Sequence, residues 1–267
     1  MKHLPNLLTL GNLFCGCIAI AYILTAQPYT SMTLESGGVP TWKWIYGSEQ
    51  MYFGGIFIFI AGICDLLDGF VARALKIFSP IGKDLDSLAD LVSFGVAPSV
   101  ILFKLLWDAL MGEKNAMDVS MLGMAPAFLV ACFAALRLAK FNITSDTQKG
   151  YFIGMPTPAV GLFVASFPLI MWYNPYGIAA YFQHKWVLYI IIALLCWFMV
   201  SSIRFIKLMP SKWGIAYMWP QLILLVASIV SVIFLGVAAI PAVFALYVLL
   251  SLIYKHPNQV NNKEATA

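Results

Sequence analysis

Asp65, Asp68, Asp86 and Asp90 stand in a chain that is otherwise mostly apolar. The first two are three residues apart and the last two four apart, so in helices each pair projects its carboxylates from one face. Ser79-Pro80-Ile81-Gly82 predicts a turn between the two segments. Pairs facing each other across that turn make a cage of up to four carboxylates. Oxygen-only ligation suits a hard divalent cation, Mg²⁺ or Mn²⁺, and two such ions about 3.5–4 Å apart form a clamp used for displacements at phosphorus.

The small residues in the same stretch fit a bulky ligand. Gly69 follows the second Asp and Ala72 lies on the same face one turn on, so the helix backbone is open to close approach. Arg73 adds a permanent cation whose planar fork matches phosphate oxygens.

The order Asp65-x-x-Asp68-Gly69-x-x-Ala72-Arg73, eight residues, Gly82-x-x-x-Asp86-x-x-x-Asp90 resembles the signature of the CDP-alcohol phosphatidyltransferases. The resemblance implies metal binding by Asp65, Asp68 and Asp86, and a general-base role for Asp90, which also stands near the metal site. It implies transfer of a phosphatidyl group from a CDP-linked lipid to an alcohol, with release of CMP. Gly69, Ala72, Arg73 and Gly82 then belong to the CDP-lipid site.

These residues must be positioned by membrane helices. Of the 267 residues, 61% are hydrophobic and 10% charged, more apolar surface than a soluble domain of this length needs. A sequence pI near 8.7 invites a nucleic-acid reading. The 16 Lys and Arg are scattered among hydrophobic spans, however, which fits topology signals and no nucleic-acid partner. Cys15, Cys17, Cys64, Cys132 and Cys196 all fall inside apolar segments, which argues against a disulfide framework or a zinc site. His3, His184 and His256 are isolated from one another, so no histidine metal site is expected.

The expected architecture is an all-α, polytopic transmembrane bundle of about eight helices. Apolar runs place spans at residues 4–26, 51–75, 83–110, 121–141, 158–173, 186–203, 215–235 and 241–254. Asn6, Thr9 and Asn12 share one face of the first span; Asn6 and Asn12 are assigned to the CDP-lipid pocket, with helix–helix hydrogen bonding as the other reading. Residues 27–50 read as a polar loop whose Trp42, Trp44 and Tyr46 suit a membrane interface. Asp65 falls about 21 Å along the second span and Asp86 and Asp90 near the start of the third, so all four carboxylates meet at one side of the membrane. With eight spans and a cytoplasmic N-terminus, twelve of the sixteen basic residues collect inside: Lys2, Arg73, Lys76, Lys83, Arg137, Lys140, Lys149, Arg204, Lys207, Lys212, Lys255 and Lys263. Both termini are then cytoplasmic, and the Asp cluster faces the cytoplasm from the cell (inner) membrane. Residues 1–254 are expected to form one membrane domain and 255–267 a polar tail.

Leu4–Gly16, Ser93–Pro98, Arg137–Asn142, Gly154–Pro158 and Met199–Arg204 further resemble the phosphatidylserine-forming branch of the family. That likeness implies CDP-diacylglycerol and L-serine as substrates, phosphatidylserine and CMP as products, two metal ions, and a homodimer in a lipid membrane. Serine brings a carboxylate that needs a cation. Arg137 and Arg204 are the first candidates, with Lys140 and Asn142 beside them, all expected at helix ends. Two other readings stay open. One is another acceptor, such as inositol phosphate, glycerol phosphate or an amino alcohol; the other is a divalent-cation transporter, whose carboxylates normally sit at the bilayer midplane on broken helices.

Overall fold

A computed structural model of the chain describes residues 4–26, 29–34, 40–45, 49–75, 80–112, 119–144, 151–206 and 215–254. The first helix, α1 (Leu4–Thr25), carries Pro5 in its first turn, where a missing N–H costs nothing. Strands β1 (Tyr29–Leu34) and β2 (Pro40–Ile45) then pair antiparallel. Within the expected polar loop of residues 27–50, residues 29–34 and 40–45 are therefore paired strands. Tyr29, Thr30, Thr33, Thr41, Trp42, Trp44 and Ile45 are β-branched or aromatic, types that favour strand pairing over loop. Helix α2 (Glu49–Ala74) begins two residues before its expected start.

The third span is composite. It joins α3 (Pro80–Asp90), a π-helical turn (Leu91–Val96) and α4 (Ala97–Met111). The turn expected at residues 79–82 lies partly outside the described residues; Pro80 already begins α3. Next come α5 (Met121–Met124), a 3-10 turn carrying Pro126 (Ala125–Phe128) and α6 (Leu129–Thr144). Strand β3 (Tyr151–Ile153) precedes α7 (Thr157–Tyr173). A 3-10 segment (Pro175–Gln183) follows and meets α8 (Lys185–Val200) at a bend of 90°.

The sixth span, expected to reach Ile203, ends at Val200. Arg204 is not at a helix end: it opens strand β4 (Arg204–Ile206), which pairs antiparallel with β3. The backbone of residues 204–206 is satisfied by that pairing instead of by another helical turn. Helices α9 (Ile215–Leu235) and α10 (Ala239–Ile253) are the last of the described elements.

Five stretches among the described residues are long and apolar enough to cross a membrane, and six if the bent pair Pro175–Gln183 and Lys185–Val200 counts as one span; α7 is a shorter apolar helix. By length and composition the last of these, Trp219–Ile253, is a single run of 35 residues. It folds back on itself. Gly236 has a φ of +54°, the left-handed conformation that ends a helix, and the rings of Trp219 and Tyr254 lie 5.5 Å apart.

The core surrounds α4, where Ile101, Leu102, Leu105 and Leu106 are fully enclosed. Helix α2 approaches two neighbours at once through adjacent glycines. A Cβ on Gly54 would meet Ile23 of α1 at 2.5 Å, and one on Gly55 would meet the Ala165 carbonyl of α7 at 2.7 Å. The outer faces remain apolar: Leu7, Phe14, Ile63, Leu66, Phe70, Ile233 and Phe234 are all exposed. Apolar patches this large belong against lipid, so the chain is a helical membrane protein.

Candidate active site

Asp65 and Asp68 are one turn apart on α2, and Asp86 and Asp90 one turn apart on α3. Helix α1 packs against both helices and closes the site from the side. Asp65, Asp68 and Asp86 each present a carboxylate oxygen within 4.8 Å of the other two. Asp68 is buried and the other two half-buried. Asp90 is buried beside them, within hydrogen-bonding reach of the Asp65 carboxyl.

Two polar side chains of α1 hold two of these acids. Thr9 donates from Oγ1 to Asp68 Oδ2 at 2.7 Å, and Asn12 donates from Nδ2 to Asp90 Oδ1 at 3.1 Å. Asn12 is fixed in turn, because Ser93 of the π turn donates to its backbone carbonyl at 3.0 Å. Asp86 Oδ1 is enclosed yet has no hydrogen-bond partner among the described residues. Three carboxylates this close repel one another unless a cation lies among them. The oxygen-only donor set and the orphaned Asp86 oxygen fit a divalent ion such as Mg²⁺ or Mn²⁺.

The flank of α2 is open as expected. A Cβ on Gly69 would meet only Arg73 Nη2, at 3.9 Å, so the guanidinium folds back over a bare stretch of helix. Ala72 and Gly82 are half-exposed, and Asn6 is half-buried one and a half turns before Asn12. Asn12 reaches the acids themselves, through Asp90.

The residues expected to hold the acceptor fall in three places. Arg137 of α6 is 7% exposed, and α6 packs against the π turn that follows Asp90. The rings of Phe141 and Phe152 lie 5.0 and 5.8 Å from its guanidinium, and Nη1 points to Thr157 Oγ1 at 3.5 Å. Its Nε has no hydrogen-bond partner among the described residues. Asn142 instead joins α6 to α3: it donates from Nδ2 to Ser87 Oγ at 2.8 Å, and its carbonyl accepts from Lys83 Nζ at 3.1 Å. Lys140 is exposed. Arg204, also exposed, lays its guanidinium 4.7 Å from the Tyr151 ring.

Ser87, Ser93 and Thr157 were not singled out by residue type, since a lone hydroxyl in an apolar span has many uses. Ser93 and Thr157 do lie in stretches that carry the family likeness.

The model of the CDP-alcohol phosphatidyltransferase family matches residues 2–200, and the chain belongs to that family. Its relatives narrow the kinship. A CDP-diacylglycerol–serine O-phosphatidyltransferase of Helicobacter pylori (strain ATCC 700392 / 26695) is 31% identical over 252 residues, covering 93% of this chain and 89% of the relative. The proteins of the same name from Bacillus subtilis (strain 168) and Saccharomyces cerevisiae (strain ATCC 204508 / S288c) are 34% and 45% identical. The first alignment covers 66% of this chain and 79% of the relative, the second 58% and 50%.

Proposed function

We propose that the protein transfers the phosphatidyl group of CDP-diacylglycerol to the hydroxyl of L-serine, forming phosphatidylserine and CMP. The observation that carries this reading is the carboxylate triad of Asp65, Asp68 and Asp86 with Asp90 buried beside it, next to α6 and its buried Arg137. On this reading a general base and a cluster suited to pyrophosphate-bound metal share one site, with a cation for the acceptor carboxylate on the neighbouring α6. The names of the relatives support the same donor and acceptor.

Asp65, Asp68 and Asp86, with Asp90 at the edge, would hold up to two Mg²⁺ or Mn²⁺. Bound there, the metal supplies charge neutralisation for the pyrophosphate and for the departing CMP. The chain's own residues do the rest. Asp90, oriented by Asn12, takes the proton from the serine hydroxyl. The hydroxyl oxygen forms a bond to the lipid-bearing phosphorus, and the bond from that phosphorus to the CMP oxygen breaks. Arg73 lies over Gly69 where it can meet phosphate oxygens; Gly69, Ala72 and Gly82 leave room for the nucleotide, with Asn6 toward its edge. Arg137 is the first choice for the acceptor carboxylate. Lys140, Asn142 and Arg204 are further choices, although Asn142 is already engaged with Ser87.

The topology proposed with this activity has eight spans, both termini in the cytoplasm and the site at the cytoplasmic face of the inner membrane. Residues 1–254 are one catalytic domain, working as a homodimer; the tail from 255 lies outside the described residues. The Lys83–Asn142 bond supports this orientation, because it puts the basic ends of α3 and α6 beside the acids. Lys2, Lys76, Lys149, Lys207, Lys212, Lys255 and Lys263, also assigned to the inner side, lie outside the described residues.

The test is CMP release from CDP-diacylglycerol by the purified protein with Mn²⁺ or Mg²⁺, comparing L-serine, inositol phosphate, glycerol phosphate and no acceptor. Release that depends on serine, stops on chelation and disappears in Asp90→Asn, while that variant still binds CDP-diacylglycerol, is the expected result. Release with another acceptor alone refutes serine as substrate, and turnover by Asp90→Asn removes Asp90 as the base.

A further inference from the structure

Tyr247 lies on α10, beyond the residues that the family model matches. It is buried, its ring is 5.7 Å from that of Phe205, and its hydroxyl donates to the Ile206 carbonyl at 3.2 Å. One turn on, Ser251 Oγ accepts from the Ile206 N–H at 3.4 Å, so α10 engages both polar groups of that residue. Strand β4 is thereby fixed to α10. Its partner β3 carries Phe152, whose ring lies against Arg137. A continuous set of contacts runs from the C-terminal hairpin to the acceptor arginine.

The two buried groups at its ends complement each other. The Tyr247 proton is committed to Ile206, so its oxygen presents only lone pairs to anything else nearby. Phe205 and Phe152 are directly opposite each other across β4 and β3, so Tyr247 and Arg137, each against one of these rings, lie on the same face of that ribbon, and Arg137 Nε has no hydrogen-bond partner among the described residues. A buried donor without a partner costs about 1–3 kcal/mol, so such a site is built to be filled. An α-amino acid carries a carboxylate and an ammonium group on one carbon, and fills both.

We propose that Tyr247 is a specificity-determining residue of the acceptor site, receiving the ammonium group of the amino acid whose carboxylate Arg137 holds. This rests on the reading of Arg137 as the carboxylate site. Serine then meets three groups from three elements: Asp90 for its hydroxyl, Arg137 for its carboxylate and Tyr247 for its ammonium. The donor half of the reaction, common to the family, is served by α1 to α3; the wall that recognises an amino acid comes partly from the hairpin.

The experiment measures CMP release by the full-length protein and its inhibition by glycerate, which has serine's hydroxyl and carboxylate but no ammonium. Tyr247→Phe keeps the ring on Phe205 and removes only the oxygen. Its KM for serine is expected to rise about tenfold or more, the effect of one hydrogen bond to a charged group. Its kcat, its KM for CDP-diacylglycerol and its inhibition by glycerate stay within about twofold of the parent. Arg137→Gln weakens serine and glycerate together. An unchanged serine KM in Tyr247→Phe overturns the proposal, as does an equal loss of glycerate binding, which would assign the hydroxyl to holding β4. If Arg137→Gln leaves both ligands unaffected, the carboxylate reading fails instead.

Discussion

Thr9 and Asn12 make the carboxylates of this site specific in direction. A carboxylate in a helix bundle takes whatever donor is near, and a fixed hydroxyl or amide selects one orientation of its oxygens. Thr9→Val keeps the volume and deletes the donor to Asp68. Its affinity for Mn²⁺, read from the activation curve or by calorimetry, is expected to fall about 10–100-fold, the usual loss when a partner of a metal ligand is removed. An unchanged Mn²⁺ affinity would make that hydrogen bond incidental. The spacing of Asn6, Thr9 and Asn12 announces a polar helix face in the sequence. It does not announce what the face meets, because a 3.6-residue period gives direction around one helix and nothing about its neighbour. Asp65, Asp68, Asp86 and Asp90 were easier, since two short-range pairs on helices joined by a turn already imply convergence.

At the scale of elements, the π turn Leu91–Val96 follows Asp90 directly and places Phe94 in the core. Turns of this kind occur often at functional sites, where the extra residue per turn shifts the side chains on either side. Helix α7 leaves room for it at Gly161, where a Cβ would stand 2.8 Å from the Phe94 Cα. Gly161→Ala therefore presses on backbone, and a loss of about 1–3 kcal/mol with a lower melting temperature in detergent is expected. Gly69→Ala is the contrasting variant. Its Cβ meets only the end of the Arg73 side chain, so stability holds while the KM for CDP-diacylglycerol rises. Equal melting temperatures for the two variants would contradict this account. Apolar periodicity located most helices to within a few residues, and Ile215–Leu235 exactly as expected from its run. It carried no mark of the π turn, which has the same composition as the helix around it. Nor did it mark β3 and β4, whose three-residue strands are stable only because α10 and α6 pack beside them.

The whole molecule closes through its C-terminal hairpin. Were Trp219–Ile253 one straight helix, Trp219 and Tyr254 would be about 50 Å apart; their rings touch. A Trp219→Cys, Tyr254→Cys double variant, with the native cysteines replaced, is expected to be bridged by a short bifunctional thiol reagent in detergent, and failure to bridge in folded protein would rule out the hairpin. The break between the spans expected at 215–235 and 241–254 holds Gly236, whose left-handed backbone stands where the chain reverses. That Tyr247 and Arg137 lie against opposed rings of β4 and β3 was not readable, because the two are separated by most of the second half of the chain. The exposed Ile63, Leu66 and Phe70 belong to the same helix as Asp65 and Asp68. If the donor is the CDP-linked lipid proposed above, this makes the site a shoreline: the acyl chains would stay in the bilayer while the headgroup reacts, and serine and CMP alone would cross between water and protein. Encounter with the donor is then a search in two dimensions, governed by the crowding of that lipid among its neighbours in the membrane and not by its amount per volume of cell.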